Sequence, residues 1–143
     1  MKISIKNNIL IIHFNGKKKE MNETLDVISN NYEGIIKNRE GHNFPSHFIP
    51  KNHFLYKYIN NCKYVIGIYN NKDIKHEMLH AKYYIDNDYK ELINKEWKDL
   101  DPNIRDYLTK FLKKLGYSET VIIDEYQAYR YSEASNFFGI KII

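Results

Sequence analysis

Five consecutive residues, His76-Glu77-Met78-Leu79-His80, carry side chains that do chemistry together. On a helix, residues four apart share one face, so both imidazoles can hold a single cation. Glu77, beside the first histidine, is placed to take a proton from a water on that cation. A catalytic zinc site commonly has three protein ligands and one open position. His80 is the last histidine of the chain, so a downstream third ligand must be a carboxylate. Asp124-Glu125 and Glu133 are the candidates, and Glu125 is preferred. The small Ala128 beside it would let its helix approach the His76–His80 helix closely. Tyr129, one turn on, is placed to orient a ligand by hydrogen bonding. The plainer alternative is two ordinary helical histidines, a solvated Glu77, and a surface Glu125 favoured near a helix N-terminus.

These residues need elements to position them. Lys63–Tyr69 is β-branched and aromatic and reads as the best strand, ended by a turn at Asn70-Asn71. Asp73 is the expected cap of a helix to about Asp86, with Ile74, Met78, Ala81 and Ile85 as its buried stripe. Ile3–Phe14 reads as a hairpin around Asn7-Asn8, and Asn22–Lys37 as a helix capped at Asn22. Asn38–Lys51, with Gly41, Pro45 and Pro50, is expected to be a loop. Pro102 opens a further helix with Ile104, Leu108, Phe111, Leu112 and Leu115 inward, closed by Gly116. Ser118 is the expected cap of a last helix to about Glu133, and Phe137–Ile143 is expected to return as a strand. The sum is an α+β domain spanning 1–143, with a small, mostly antiparallel sheet packed on the site helix and helices at the C-terminal end.

Composition excludes some classes. The chain has 143 residues, 43% hydrophobic, enough for one modest core and no more. A net charge of +4 with interspersed signs falls short of a nucleic-acid footprint, so nucleic acid is not the expected partner. No stretch approaches the roughly twenty apolar residues of a membrane span, and Met1–Lys6 alternates apolar and polar residues, unlike the continuous apolar region of a secretory signal. Cys62, the lone cysteine, rules out an internal disulfide and reads as a buried small hydrophobe. The expectation is a soluble, intracellular monomer. His42, His47 and His53 match no common ligand spacing and are read as loop histidines. Trp97, Tyr89, Tyr107 and Phe111 are read as core.

His76-Glu77-x-x-His80 followed by Asp124-Glu125-Tyr126-Gln127-Ala128 resembles the gluzincin pattern, in which a later helix supplies a glutamate as third zinc ligand. Over about Tyr64–Ile143 it is similar to the protease domain of anthrax lethal factor and the related Pro-Pro endopeptidases. The resemblance implies a zincin-like fold and a Zn²⁺ metallopeptidase acting on a protein or peptide. It assigns His76, His80 and Glu125 as ligands and Glu77 as general base. It also implies a tyrosine shortly before the third ligand as oxyanion donor, and Tyr117 lies near that place. Tyr129 departs from the pattern, where an acidic residue often follows the alanine, and Lys82 is a charge at a usually apolar position. The SprT-like proteases share His76-Glu77-x-x-His80 but need a downstream histidine that this chain lacks. An extended substrate is expected to pair with the strand Lys63–Tyr69. The competing class is an inactive zincin-like domain that binds a protein or nucleic acid.

Overall fold

The computed structural model describes residues 1–142. Among them the chain runs β1 (Lys2–Lys6), β2 (Ile9–His13), α1 (Lys18–Glu33), β3 (Gly41–Pro45), β4 (Tyr64–Ile68), α2 (Ile74–Ile85), α3 (Asn87–Asp99), α4 (Pro102–Lys114) and α5 (Ile122–Ser132). It is an α+β fold. The sheet has the order β1-β2-β4-β3; β2 and β4 are parallel and the two outer pairings antiparallel. Asn7 and Asn8 both take positive φ, 53° and 66°, the backbone that a tight hairpin turn between β1 and β2 requires.

Strand alternation divides the apolar residues between two faces. Leu10, Ile12, Phe44 and Val65 pack with Met21, Leu25 and Ile28 of α1. Ile9, Tyr64, Ile66 and Ile68 pack instead with Ala81 of α2, flanked by the half-buried Ile74, Met78 and Ile85. The sheet therefore lies between α1 and α2; the expected stripe of α2 faces the sheet, but only Ala81 of it is buried, and the other buried residues of α2 are Glu77 and His80. A third cluster, Leu108, Leu112, Tyr117, Val121, Ile122, Tyr126 and Phe138, joins α4, α5 and the C-terminal turn.

Several expectations are corrected. Asn38–Lys51 is not all loop, because Gly41–Pro45 forms β3. A proline is tolerated there because β3 is an edge strand and Pro45 is its last residue. The strand at Lys63–Tyr69 is present as β4, but it is interior, paired on both sides, and has no edge for a peptide. α1 starts at Lys18 and ends at Glu33, where Gly34 at φ 108° breaks it; Ile35 beyond it is exposed. Asn22 does not cap it: its side chain donates to the Arg39 carbonyl at 3.2 Å and meets His42 Nε2 at 2.8 Å.

α3 was not expected, since its apolar residues are few and only Ile93 is buried. Asp86 caps it, accepting from the Tyr89 amide at 3.0 Å. Asp73 precedes α2 but makes no capping bond; Asn70 caps the turn before it, accepting from the Lys72 amide. Ser118 likewise makes no capping bond and opens a short 3₁₀ turn that leads into α5. Leu115 is exposed rather than inward. Residues 137–142 form turns and no strand, with Phe138 buried; Ile143 lies outside the described residues. No helix among the described residues is long and apolar enough to cross a membrane.

Candidate metal centre

α2 and α5 lie against each other, Ala128 of α5 is fully buried, and three α5 side chains hydrogen-bond to α2. Asp124 accepts from His80 Nδ1 at 2.9 Å, Ser132 meets His76 Nδ1 at 2.8 Å, and Gln127 donates to the Leu79 carbonyl at 3.1 Å. The Ser132 hydroxyl gives its own proton to the Ala128 carbonyl at 2.6 Å, so its oxygen accepts from His76. Both neutral rings thus carry their proton on Nδ1. Both Nε2 lone pairs are left facing one place.

They face each other at 3.2 Å, and Glu125 Oε1 stands 3.4 Å from His80 Nε2. Ligand atoms of His76, His80 and Glu125 all lie within 4.8 Å of one another. Tetrahedral ligands about 2.05 Å from an ion sit roughly 3.3 Å apart, so the two measured separations suit a shared ion. Two ring nitrogens this close need a cation between them, either a metal ion or the proton that His80 holds without one. The second oxygens of Glu125 and Glu77 are buried without a hydrogen-bond partner, a cost that a cation and its water would remove. The residues present fit a metal ion.

Charge supports the same conclusion. Glu33, Glu77, Asp124 and Glu125 are each at most 5% exposed, and Arg39 is the buried guanidinium among them. Burial raises the carboxyls of Glu33 and Glu77, so this poorly solvated interior keeps its charge low by holding protons that a cation would displace. Burial lowers the charged form of His80, but Asp124 and then Glu125 outweigh it and hold that imidazole well above its usual range. Burial and the His80 charge push His76 down to about 3. Without an ion, then, the pair holds a proton on His80, at the place where the ligand atoms converge.

Glu77 borders the same cleft, a cavity of about 470 Å³ that also reaches His76, His80, Glu125, Tyr117 and Tyr129. Burial raises its carboxyl to about 7; the His80 charge and the Asn43 side chain oppose the rise and Glu33 adds to it. The Tyr64 hydroxyl donates to Asn43 Oδ1 at 2.6 Å and so fixes how that amide faces. Gly41 of β3 leaves room for the base: a Cβ there would lie 2.8 Å from Glu77 Oε1.

Every residue expected at the site lines this one cleft. Glu133 lines it too but stands outside the ligand cluster, at the C-cap of α5. The other histidines are apart: His42 is buried on β3 between Ser29 Oγ and Asn22, and His53 Nδ1 accepts from the Leu55 amide. Cys62 is buried, its thiol donating to the Tyr58 carbonyl at 3.3 Å. Four contributors escaped the sequence reading: Asp124 as the partner of His80, Ser132 as the partner of His76, and the buried pair of Glu33 with Arg39. The adjacency of Asp124 to Glu125 was the available signal. Neighbours on a helix diverge by about 100°, so they reach the two nitrogens of one ring from different sides.

No family model matches the chain, and neither the curated proteins nor the solved structures yielded a match.

Proposed function

We propose that this protein is a zinc-dependent endopeptidase, with His76, His80 and Glu125 as ligands and Glu77 as general base. One observation carries the reading: three ligand atoms of suitable type converge in a cleft with an unpartnered buried carboxylate beside them. A ligand set of two imidazoles and one carboxylate suits zinc and leaves a position open for solvent. A purely structural zinc site would favour a closed, cysteine-rich set, and this chain has one cysteine.

Zinc, when bound, supplies Lewis acidity, lowering the pKa of a coordinated water and polarising the carbonyl to be cleaved. Glu77 accepts the proton of the attacking water as its oxygen bonds to the peptide carbon. The same carboxyl then passes that proton to the amine nitrogen as the C–N bond breaks. The buried Glu77 carboxyl, with one oxygen free of any hydrogen bond, can both accept and return that proton. Tyr117, on the cleft wall, donates to the carbonyl oxygen as negative charge grows there. The substrate backbone runs through the cleft past Gly41 and Asn43 of β3, which line it.

The test is a peptide library offered to zinc-loaded protein, with metal content measured in parallel. Glu77→Gln is expected to keep its zinc and lose nearly all turnover; His80→Ala is expected to lose the metal. A wild-type protein that holds zinc and leaves the library uncut would defeat the proposal.

A further inference from the structure

Tyr117 and Tyr129 meet hydroxyl to hydroxyl at 2.7 Å on the wall of the cleft. A phenol keeps its proton at neutral pH, so each of the two hydroxyls carries one. Two hydroxyls carry two protons, and their mutual contact consumes one. The pair therefore offers one O–H to anything else.

The two rings are held differently. Tyr129 is stacked on Phe137 at 4.4 Å and 11°, and stands edge-on to His76 at 4.6 Å. Tyr117 follows Gly116, where the chain turns out of α4 at φ 111°, and its nearest aromatic partner is Tyr129, at 6.2 Å. Both rings line the cleft; Tyr129, held by Phe137 and His76, suits the anchoring end of the pair, and Tyr117, buried in the α4–α5 cluster, suits the other.

We infer that Tyr129 is a positioning residue: its hydroxyl donates to the Tyr117 oxygen and leaves the Tyr117 O–H directed into the cleft, toward the carbonyl oxygen of the scissile bond. This rests on the peptidase reading above. A hydroxyl that accepts one hydrogen bond becomes a stronger donor in the next, so the contact both aims and polarises the Tyr117 proton. No proton leaves either phenol; Tyr117 hydrogen-bonds the growing oxyanion and keeps its O–H bond.

The experiment is a double-mutant cycle on zinc-loaded protein, using a peptide the library shows to be cut. Tyr117→Phe is expected to lower kcat about 100-fold, as loss of an oxyanion donor does, with KM nearly unchanged. Tyr129→Phe is expected to lower kcat roughly tenfold, the scale of a supporting contact, with KM and zinc content nearly unchanged. The double variant is expected to match Tyr117→Phe alone, since Tyr129 acts only through Tyr117. Full kcat in Tyr129→Phe, a double variant showing the product of both losses, or a Tyr129→Phe defect confined to KM or zinc content would overturn the inference. An inactive zinc-loaded wild type would instead remove the peptidase reading beneath it.

Discussion

The His80 ring is bracketed by two consecutive residues, Asp124 at Nδ1 and Glu125 near Nε2. Asp124 is itself held by Gln127 Nε2 at 3.0 Å, and Gln127 accepts from the Tyr89 hydroxyl at 2.8 Å. An orienting chain of this kind fixes the tautomer and raises the basicity of the ligand nitrogen. Asp124→Asn is therefore expected to weaken metal binding by about 10–100-fold, measured by competition against a chromophoric chelator. Unchanged affinity would mean that Asp124 does not set the orientation of His80. Glu77 gives a second prediction, for the metal-free protein. Its folded pKa, about 7, lies above the ordinary carboxyl value, so the folded state binds that proton more tightly than the unfolded state. Its contribution is most favourable below about pH 4.5 and is lost as pH rises toward 7. Glu77→Gln is expected to match wild type in acid and to become the more stable of the two near pH 7 and above. Denaturant melts across that range, with a chelator present, would show parallel curves if the burial of Glu77 had no such effect.

At the level of elements, two close approaches shape the cleft. β3 passes over Glu77 with only a glycine between them. The obstacle to a Cβ at Gly41 is the tip of a flexible side chain, so Gly41→Ala is expected to fold and bind metal while displacing the base and lowering kcat. Loss of metal in that variant would show that Gly41 supports the ligands instead. The second approach joins α1 to the end of α4. The Ser118 amide donates to the Glu33 carbonyl at 2.9 Å, with Gly34 and Gly116 packed against each other's segments. A Cβ at Gly116 would lie 2.4 Å from the Ile35 carbonyl oxygen, a backbone atom, and φ is 111°. Gly116→Ala is expected to cost about 1–3 kcal/mol, the scale of a strained left-handed residue, read from urea unfolding. A change of a few tenths would show that the backbone relaxes there.

For the whole molecule, the metal centre is where its layers meet. α2 brings two ligands from one face of the sheet, α5 brings the third, and α1 adds Glu33, so the fold gathers buried groups that hold protons where a cation could stand. Metal removal is thus expected to lower Tm, and zinc to add stability with concentration, about 2.7 kcal/mol at a hundredfold excess over Kd, seen as a rising Tm. The gain should vanish in His80→Ala, and calorimetry with and without chelator measures it. A Tm indifferent to zinc would argue that the cluster is satisfied by protons alone.

What could be read from the chain was whatever repeats locally. The 3.6-residue period placed Ile74, Met78, Ala81 and Ile85 on one stripe and both histidines on another, because helix geometry converts spacing directly into direction. Asn7-Asn8 announced a hairpin and Pro102 with Gly116 bounded α4, since each residue type suits one backbone conformation. β3 was hidden because Gly41 and Pro45 argue locally for a loop, whereas pairing with β4 is made by residues some twenty positions away. α3 was hidden because its few apolar side chains leave a weak period. That β4 is interior, that Asp124 serves His80, and that Glu33 lies beside Glu125 are outcomes of packing between distant segments. Spacing along one segment says which way a side chain points, but whether another segment stands there to meet it depends on how α1, α2 and α5 close around the sheet.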